Sequence, residues 1–500
     1  MQFIHEVLQK QAEKQPDAIS LYPENHAPIS YGELWQHVGV AAAWLRSQGV
    51  QAGHRVMLAC ENCPEHIALM FACSVVGAWP VSVNARLSAG EIRSIAEHCE
   101  PHLIVFTKQC SPAAARHAEE YSAQPCKAQG LRDACSYAVY RPNAQPESPE
   151  LAQQVAMLVY TSGTTGAPKG VMVTHKGLLH FARVSAASRQ LSGRDIAYAA
   201  LPMSHIFGIA TVLMATLQAG ASLVVRSRFD VDDLLAALVA PGISILQGVP
   251  TMYVRLLDVV SDAQQVQAPA LRYVYTGGAA LDPALKERIE TLFGQPMHHG
   301  YGITEYAGSM FITRADAPRS DTSAGYAVEG VELRIVKEGR PITTAGEDGD
   351  ILIRGPGVML GYYRNPEQTA QALLPGGWLS TGDIGHIDAD GALFLTGRSK
   401  DLIIRSGFNV YPLEVEAAIN AFPGIRLSAV VGKKESDGNE EIIAFYETER
   451  PEDINVDALR EHLAQHLAPY KRPSRFIHID SIPTTTSGKI RKDPLRAFEF

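Results

Sequence analysis

Tyr160-Thr161-Ser162-Gly163-Thr164-Thr165-Gly166-Ala167-Pro168-Lys169-Gly170 closes an apolar run that begins at Val155. Its glycines free the backbone to present N–H groups, Thr161, Ser162, Thr164 and Thr165 add hydroxyl donors, and Lys169 adds a positive charge. Together these suit a polyphosphate. The stretch is not the loop that ends in Gly-Lys-Ser/Thr: Pro168 precedes Lys169 and Gly170 follows it, which leaves no hydroxyl there for Mg²⁺ and weakens a P-loop ATPase or kinase reading. By composition alone a flexible surface loop is an equal reading, and the surrounding chain decides between them.

Around this loop, from about Val155 to His299, short apolar runs alternate with helical patterns. Strands are expected at Val155–Tyr160, Ser222–Val225, Ser244–Gln247 and Tyr273–Tyr275, and helices at Asp232–Val239 and Pro283–Leu292. Such alternation predicts an α/β layer with a largely parallel sheet. The first part repeats the theme, with an amphipathic start (Phe3, Val7, Leu8), a helix over Tyr31–Ser47 and strands at Arg55–Leu58 and Leu103–Phe106, so two α/β halves are expected. Between them the proline-rich run Arg141–Pro149 reads as an exposed linker. After Gly325 the texture becomes β-rich and glycine-punctuated, with strands at Leu333–Val336, Ile351–Arg354 and Ala392–Leu395. Beyond Arg398 it is compact α+β: helices Pro412–Asn420 and Val456–His466, strands Ser428–Val431, Ile442–Tyr446 and Phe476–Ile479.

Composition narrows the classes. A chain of 500 residues exceeds what one hydrophobic core serves, since cores stop growing near roughly 250–300 residues. With 44 Lys+Arg against 53 Asp+Glu the net charge is −9, without the basic clusters that general nucleic-acid or anionic-membrane binding requires. Seven cysteines, all between Cys60 and Cys135, cannot be fully paired within one chain, which favours a reducing compartment. The start, Met1-Gln2-Phe3-Ile4-His5-Glu6, lacks an apolar signal core, so a cytoplasmic location is expected. The longest uncharged stretch, Ile196–Val225, is broken at Pro202-Met203-Ser204-His205 and Gly220 and is expected to be a loop, a buried helix and a buried strand rather than a membrane span.

In its order of residues the phosphate loop closely resembles the signature of the acyl-adenylate-forming (ANL) superfamily, whose members include acyl- and aryl-CoA synthetases. Further segments resemble that family in the family's own order: Gly277-Gly278-Ala279-Ala280, Tyr301-Gly302-Ile303-Thr304-Glu305, Ser380-Thr381-Gly382-Asp383, Gly397-Arg398-Ser399-Lys400-Asp401, Gly407–Glu414 and Ser487-Gly488-Lys489-Ile490-Arg491. Gly77–Val81 and Asn84–Leu87 are similar to its first motif. The resemblance spans nearly the whole chain. It implies an α/β fold with a large N-terminal domain, residues 1–399, of two α/β subdomains plus a small β-barrel-like subdomain, followed by a small mobile α+β C-terminal domain, residues 400–500.

The implied activity joins ATP to a carboxylic acid, releasing pyrophosphate, and then passes the acyl group from acyl-AMP to CoA. Adenylation brings anions together, so cations and a metal aimed at developing charge should dominate. The resemblance assigns Lys489 to the bridge between carboxylate and α-phosphate, Glu305 to Mg²⁺, Thr304 to the α-phosphate, and Asp383 with Arg398 to the ribose hydroxyls. Gly278, Ala279, Ala280, Tyr301 and Gly302 would frame the adenine. Thr161, Ser162, Gly163, Thr164, Thr165, Gly166 and Lys169 would hold the phosphates. Ser406 and Gly407 would line the pantetheine channel, and Lys400 would be the hinge of the moving domain. The sequence departs from many relatives at Pro483-Thr484-Thr485, where a lysine often stands in place of Thr484.

Pro202–Gly208 resembles the segment that begins the acyl pocket in fatty- and aryl-acid ligases, with His205 at the carboxylate. Phe207, Gly208, Gly248, Val249, Met252, Tyr275, Thr276 and Gly277 would supply the walls, a mostly apolar set that points to a fatty or aryl acid. No Asp stands where amino-acid-activating relatives hold an ammonium group. His299, before Gly300-Tyr301, offers no cation for a second carboxylate, and only Arg255 keeps a dicarboxylate in play. The alternative acceptor is the phosphopantetheine of a carrier protein acting in trans, since no carrier module follows Lys489.

Overall fold

The computed structural model describes residues 1–500 except 129, 132, 162–167, 261–265, 406–407, 435–439, 452–453, 486–487 and 499–500. Two α/β sheets form its bulk. In the seven-stranded sheet Leu103–Phe106, Arg55–Cys60, Trp79–Asn84 and Val155–Thr161 run parallel, with antiparallel strands on both sides. Every residue of Arg55–Cys60 and Trp79–Asn84 is buried, as expected for central strands covered on both faces.

In the nine-stranded sheet six strands run parallel, in the order Met297–Ile303, Tyr273–Gly277, Ile245–Gly248, Ile196–Ala199, Ser222–Val225 and Ile19–Pro23. The last comes from the start of the chain, so the two α/β units are not consecutive halves of the sequence. The expected strands lie within three residues of their sequence-read limits, because each is a short β-branched or aromatic run flanked by turn residues. The helix Tyr31–Ser47 begins where Ser30 and Glu33 cap each other's backbone N–H groups.

Two expectations change. Val155–Thr161, which leads into the phosphate motif, pairs antiparallel with Lys169–Thr174, which follows it, where a largely parallel sheet was expected. The uncharged stretch opens with the strand Ile196–Ala199 before its loop, and the buried helix that follows is a π-helix, Phe207–Met214, continued by Ala215–Ala219. Among the described residues no helix is long and apolar enough to cross a membrane.

The β-rich unit is a six-stranded antiparallel sheet that includes Glu332–Lys337, Gly349–Arg354, Trp378–Ile387 and Leu393–Arg398. Past the turn Ser399–Asp401 come the hairpin Ile403–Arg405 with Phe408–Val410, a three-stranded sheet, and the helices Pro412–Asn420, Val456–His466 and Lys492–Arg496. The apolar clusters on this side of the turn, centred on Val415, Val430 and Phe445, share no residue with those before it.

Candidate active site

Four neighbouring parallel strands end on the same side of the nine-stranded sheet, and their C-terminal ends carry the site. Ile196–Ala199 leads to Pro202 and His205, Ile245–Gly248 to Val249, Tyr273–Gly277 to Gly278, and Met297–Ile303 to Thr304 and Glu305. The crevice beyond the carboxyl ends of a parallel sheet is where α/β folds bind ligands. The six-stranded sheet adds Asp383 and Arg398, directly opposite each other on adjacent strands. The C-terminal segment adds Lys489.

Asp383 is buried and held by three contacts, two of them at its carboxylate. Arg398 Nε stands 3.0 Å from Oδ1, the Tyr301 hydroxyl donates to Oδ2 at 2.5 Å, and the Asp383 N–H donates to Thr381 Oγ1 at 3.1 Å. Tyr301, placed by the sequence in the adenine frame, is thereby also a positioning group for Asp383. Gly278 is half-buried while Ala279 and Ala280 are exposed, leaving an open edge beside it. His299 Nε2 lies 3.3 Å from the Ala279 carbonyl and holds that edge in place.

Lys489 sits on a tight turn. Gly488 has φ +82°, its N–H donates to the Thr485 carbonyl at 2.9 Å, and its own carbonyl accepts from Thr251 Oγ1 at 3.2 Å. A Cβ on Gly488 would stand 2.6 Å from Thr251 Oγ1 and 2.7 Å from Val249 Cγ2, so glycine lets the turn lie flat on the rim of the large domain. The lysine chain runs along Gly278, where an added Cβ would be 3.5 Å from its Cε. Burial, and then the nearby Arg398, bring the Lys489 ammonium down to about 8, against the opposing pull of Asp383 and Glu305. Among the described residues no carboxylate lies within ion-pair distance of this ammonium.

His205 faces the same space. Burial and the charge of Lys489 lower it to about 3, so the ring is neutral at physiological pH. Its Nδ1 accepts from the Phe207 N–H at 3.3 Å, which leaves the proton on Nε2. Between His205, Phe207, Gly208, Val249, Gly278 and Lys489 lies a cavity of about 10 Å³, enough for about one water. Of the other expected wall residues, Tyr275 meets Phe207 edge-on at 5.9 Å, Gly248 packs on Met252, Gly277 lies against Gly300 and Tyr275, and Thr276 is buried. Arg255 does not join them: it is exposed on the outer face of the helix Pro250–Val259, because the apolar face of that helix is the one turned inward.

Thr304 is buried in the turn Thr304–Tyr306, and Gly302 lies so close to Gly308 that a Cβ would stand 2.4 Å from its carbonyl oxygen. The Glu305 carboxylate is half-buried and accepts from the Tyr362 hydroxyl at 2.9 Å. The Tyr362 ring in turn carries Lys169, whose Nζ lies 5.4 Å from its centroid. Tyr362 thus joins the phosphate hairpin to Glu305, a link the sequence reading missed; its only signal was an aromatic pair after glycine in Gly361-Tyr362-Tyr363. Thr161 pairs with Lys169 across the hairpin. Ser162, Gly163, Thr164, Thr165 and Gly166, like Ser406 and Gly407, lie outside the described residues. Lys400 is in the turn Ser399–Asp401, beside an Asp401 held by Arg496 at 2.6 Å.

A divalent cation fits at Glu305. Among the described residues no three His, Cys, Asp or Glu side chains converge as a cage, and Mg²⁺ characteristically takes one or two carboxylates with phosphate oxygens and water completing its shell.

Residues 8–363 match the AMP-binding enzyme family and residues 414–489 the AMP-binding enzyme C-terminal domain. A feruloyl-CoA synthase of Amycolatopsis sp is 33% identical over 471 residues, covering 94% of this chain and 93% of that protein. The ATP-bound crystal structure of MatB from Rhodopseudomonas palustris superposes with a TM-score of 0.86 at 28% identity, over 99% of this chain and 98% of that one. The anthranilate CoA ligase AuaEII in complex with anthranoyl-AMP gives 0.87 at 25% identity, over 99% and 96%.

Proposed function

The chain belongs to the AMP-binding enzyme family and is an AMP-forming acid–CoA ligase that uses ATP, Mg²⁺ and CoA, and from that premise we propose how its residues divide the work and which acid it takes. The observation that carries the reading is that Lys489 lines one cavity with His205 and Phe207 while standing within the charge influence of Arg398, Asp383 and Glu305.

In adenylation the carboxylate oxygen attacks the α-phosphorus and the bond to pyrophosphate breaks. Lys489 lines the acyl cavity and feels the charges of Asp383 and Arg398, and its ammonium meets both the carboxylate and the α-phosphate and offsets charge as the two anions approach. Asp383 accepts from the ribose hydroxyls, with Arg398 beside it, and Thr304 contacts the α-phosphate. Glu305 holds Mg²⁺, which supplies charge neutralisation to the phosphates when bound. Lys169 draws the departing pyrophosphate toward the hairpin. Neutral His205 donates from Nε2 to the substrate carboxylate without adding charge.

For the second step the domain boundary falls at 399/400, supported by the separate apolar clusters on either side. Rotation at Lys400 removes Lys489 from the cleft and brings Ser406 and Gly407 to it, opening a channel for the CoA thiol, which attacks the acyl carbon and releases AMP. The acid is an aryl acid. Phe207 meets the edge of Tyr275 at the cavity, whose walls are mostly apolar, and the feruloyl-CoA and anthranilate ligases that the chain resembles act on ring-bearing acids. The enzyme works in the cytoplasm, where ATP and CoA are supplied.

Carboxylate-dependent ATP–pyrophosphate exchange over aryl, fatty, amino and dicarboxylic acids, followed by CoA addition, tests this. Aryl acids should support the fastest exchange and yield thioesters; exchange confined to short dicarboxylates would defeat the substrate assignment.

A further inference from the structure

Behind the Phe207 wall lies a cation without a counter-charge. Arg189 is 1% exposed, and its guanidinium donates to uncharged acceptors: Gln247 Oε1, Ser185 Oγ at 2.6 Å, the Ser185 carbonyl at 3.1 Å and the Thr211 carbonyl at 2.9 Å. Among the described residues no carboxylate lies within ion-pair distance of it. The nearest acid in charge contact, Asp195, is committed to Arg272 at 2.8 Å. A lone desolvated charge is costly unless a partner completes it. Position at the end of the helix His175–Ser188 accounts for the bond to Ser185, but not for the rest.

Two neutral neighbours are also incomplete. Gln247 is 0% exposed and Tyr273 2% exposed, yet among the described residues Gln247 Nε2 and the Tyr273 hydroxyl have no hydrogen-bond partner. Buried donors seldom go unpaired in folded proteins. Arg189, Gln247 Nε2 and the Tyr273 hydroxyl all have hydrogens to give, and that combination calls for an acceptor.

The cluster adjoins the acyl cavity. Gln247 is opposite Tyr275 in the sheet and one residue before Gly248; Tyr275 touches Phe207, which faces the cavity. Thr211 is one turn along the π-helix that Phe207 begins, a helix form concentrated at functional sites. The cavity holds about one water, so an aryl acid needs more room than the closed walls leave, and the Phe207 side leads through Tyr275 to Gln247 and Arg189.

We propose that Arg189, with Gln247 and Tyr273, forms the far end of the acyl pocket and selects aryl acids that carry a hydrogen-bond-accepting oxygen on the ring end opposite the carboxylate. This rests on the ligase reading above and adds a polar floor to a pocket that reads as apolar in sequence. Arg189 is here a specificity residue and takes no part in the bond-making step.

The test compares kcat/KM for adenylation of 4-hydroxycinnamate, 4-carboxycinnamate and 4-methylcinnamate, the methyl acid matching the hydroxyl in size but accepting no hydrogen bond. A buried charge-assisted bond should make the wild type prefer at least one of the two oxygen-bearing acids over the methyl acid by roughly 10- to 100-fold. Arg189→Met should bring that ratio to within about threefold of one; if that protein does not fold, Gln247→Leu should lower the ratio instead. A wild-type ratio near one, a ratio that survives Arg189→Met, or an equal loss on all three acids would overturn the proposal. Failure of the wild type on every carboxylic acid tried would instead overturn the ligase reading.

Discussion

Replacing Lys489 with alanine separates the two half-reactions. The structure places this ammonium where it is brought from 10.5 to about 8 without substrate, which costs its charged form about 3 kcal/mol at roughly 1.4 kcal/mol per tenfold. The phosphate and carboxylate anions relieve that penalty, and their approach is strongest in the adenylation transition state. Removing the lysine should therefore slow adenylation by about 10²–10³-fold, the range measured for loss of one preorganised donor to developing negative charge. If the proposed rotation at Lys400 takes the same lysine out of the cleft for the thioester step, the loss there should be at most a few-fold. Pyrophosphate exchange reads the first step, and CoA-dependent consumption of supplied acyl-AMP reads the second. Equal loss in both would refute the rotation at Lys400 and put Lys489 in the cleft throughout.

Three further outcomes follow from the geometry. Because Lys489 is lowered, its ammonium is present below about pH 8 and lost above, so kcat/KM for adenylation in the free enzyme should fall as pH rises through 8, while kcat, measured with phosphates bound, should hold to higher pH; a flat kcat/KM to pH 10 would contradict this. Glu305→Gln should raise the Mg²⁺ concentration needed for half-maximal exchange by about tenfold or more, whereas Tyr362→Phe, which removes one hydrogen bond to that carboxylate, should cost about 0.5–1.5 kcal/mol, or a few-fold; Mg²⁺ titrations that do not move with Glu305→Gln would remove it as a ligand. Gly488→Ala, forced into φ +82° with its Cβ against Thr251 and Val249, should displace the Lys489 turn and depress exchange at least tenfold while leaving thermal unfolding of the large domain unchanged; normal exchange would show that the turn is not what aims the lysine.

Much of the fold was legible because it rests on local rules. Runs such as Ser222–Val225, Leu103–Phe106 and Tyr31–Ser47 carry their period and their caps in a few residues. The same holds for the site: Lys489, Glu305, Asp383 and Arg398 stand in segments whose order alone marks adenylate chemistry. Less local features escaped. Ile19–Pro23 is not among the strands expected from sequence, and its place beside Ser222–Val225, two hundred residues away, depends on which edge of the second sheet remains uncovered.

The sequence by itself determined the class of reaction, through its likeness to the acyl-adenylate-forming enzymes, and offered candidates for phosphate, ribose and metal binding, since each requires particular side chains on particular turns. Only the tertiary structure decided what those residues face. Tyr362 bridges Lys169 and Glu305 through one hydroxyl and one ring face, and Arg255, the arginine the sequence offered to the pocket, points outward. Arg189, silent in sequence among the polar residues that end a helix, is the cation that burial leaves unpaired behind the acyl cavity. Burial and convergence are properties of packed elements, and desolvation gives a charge its meaning only once neighbours from distant strands have excluded water from around it.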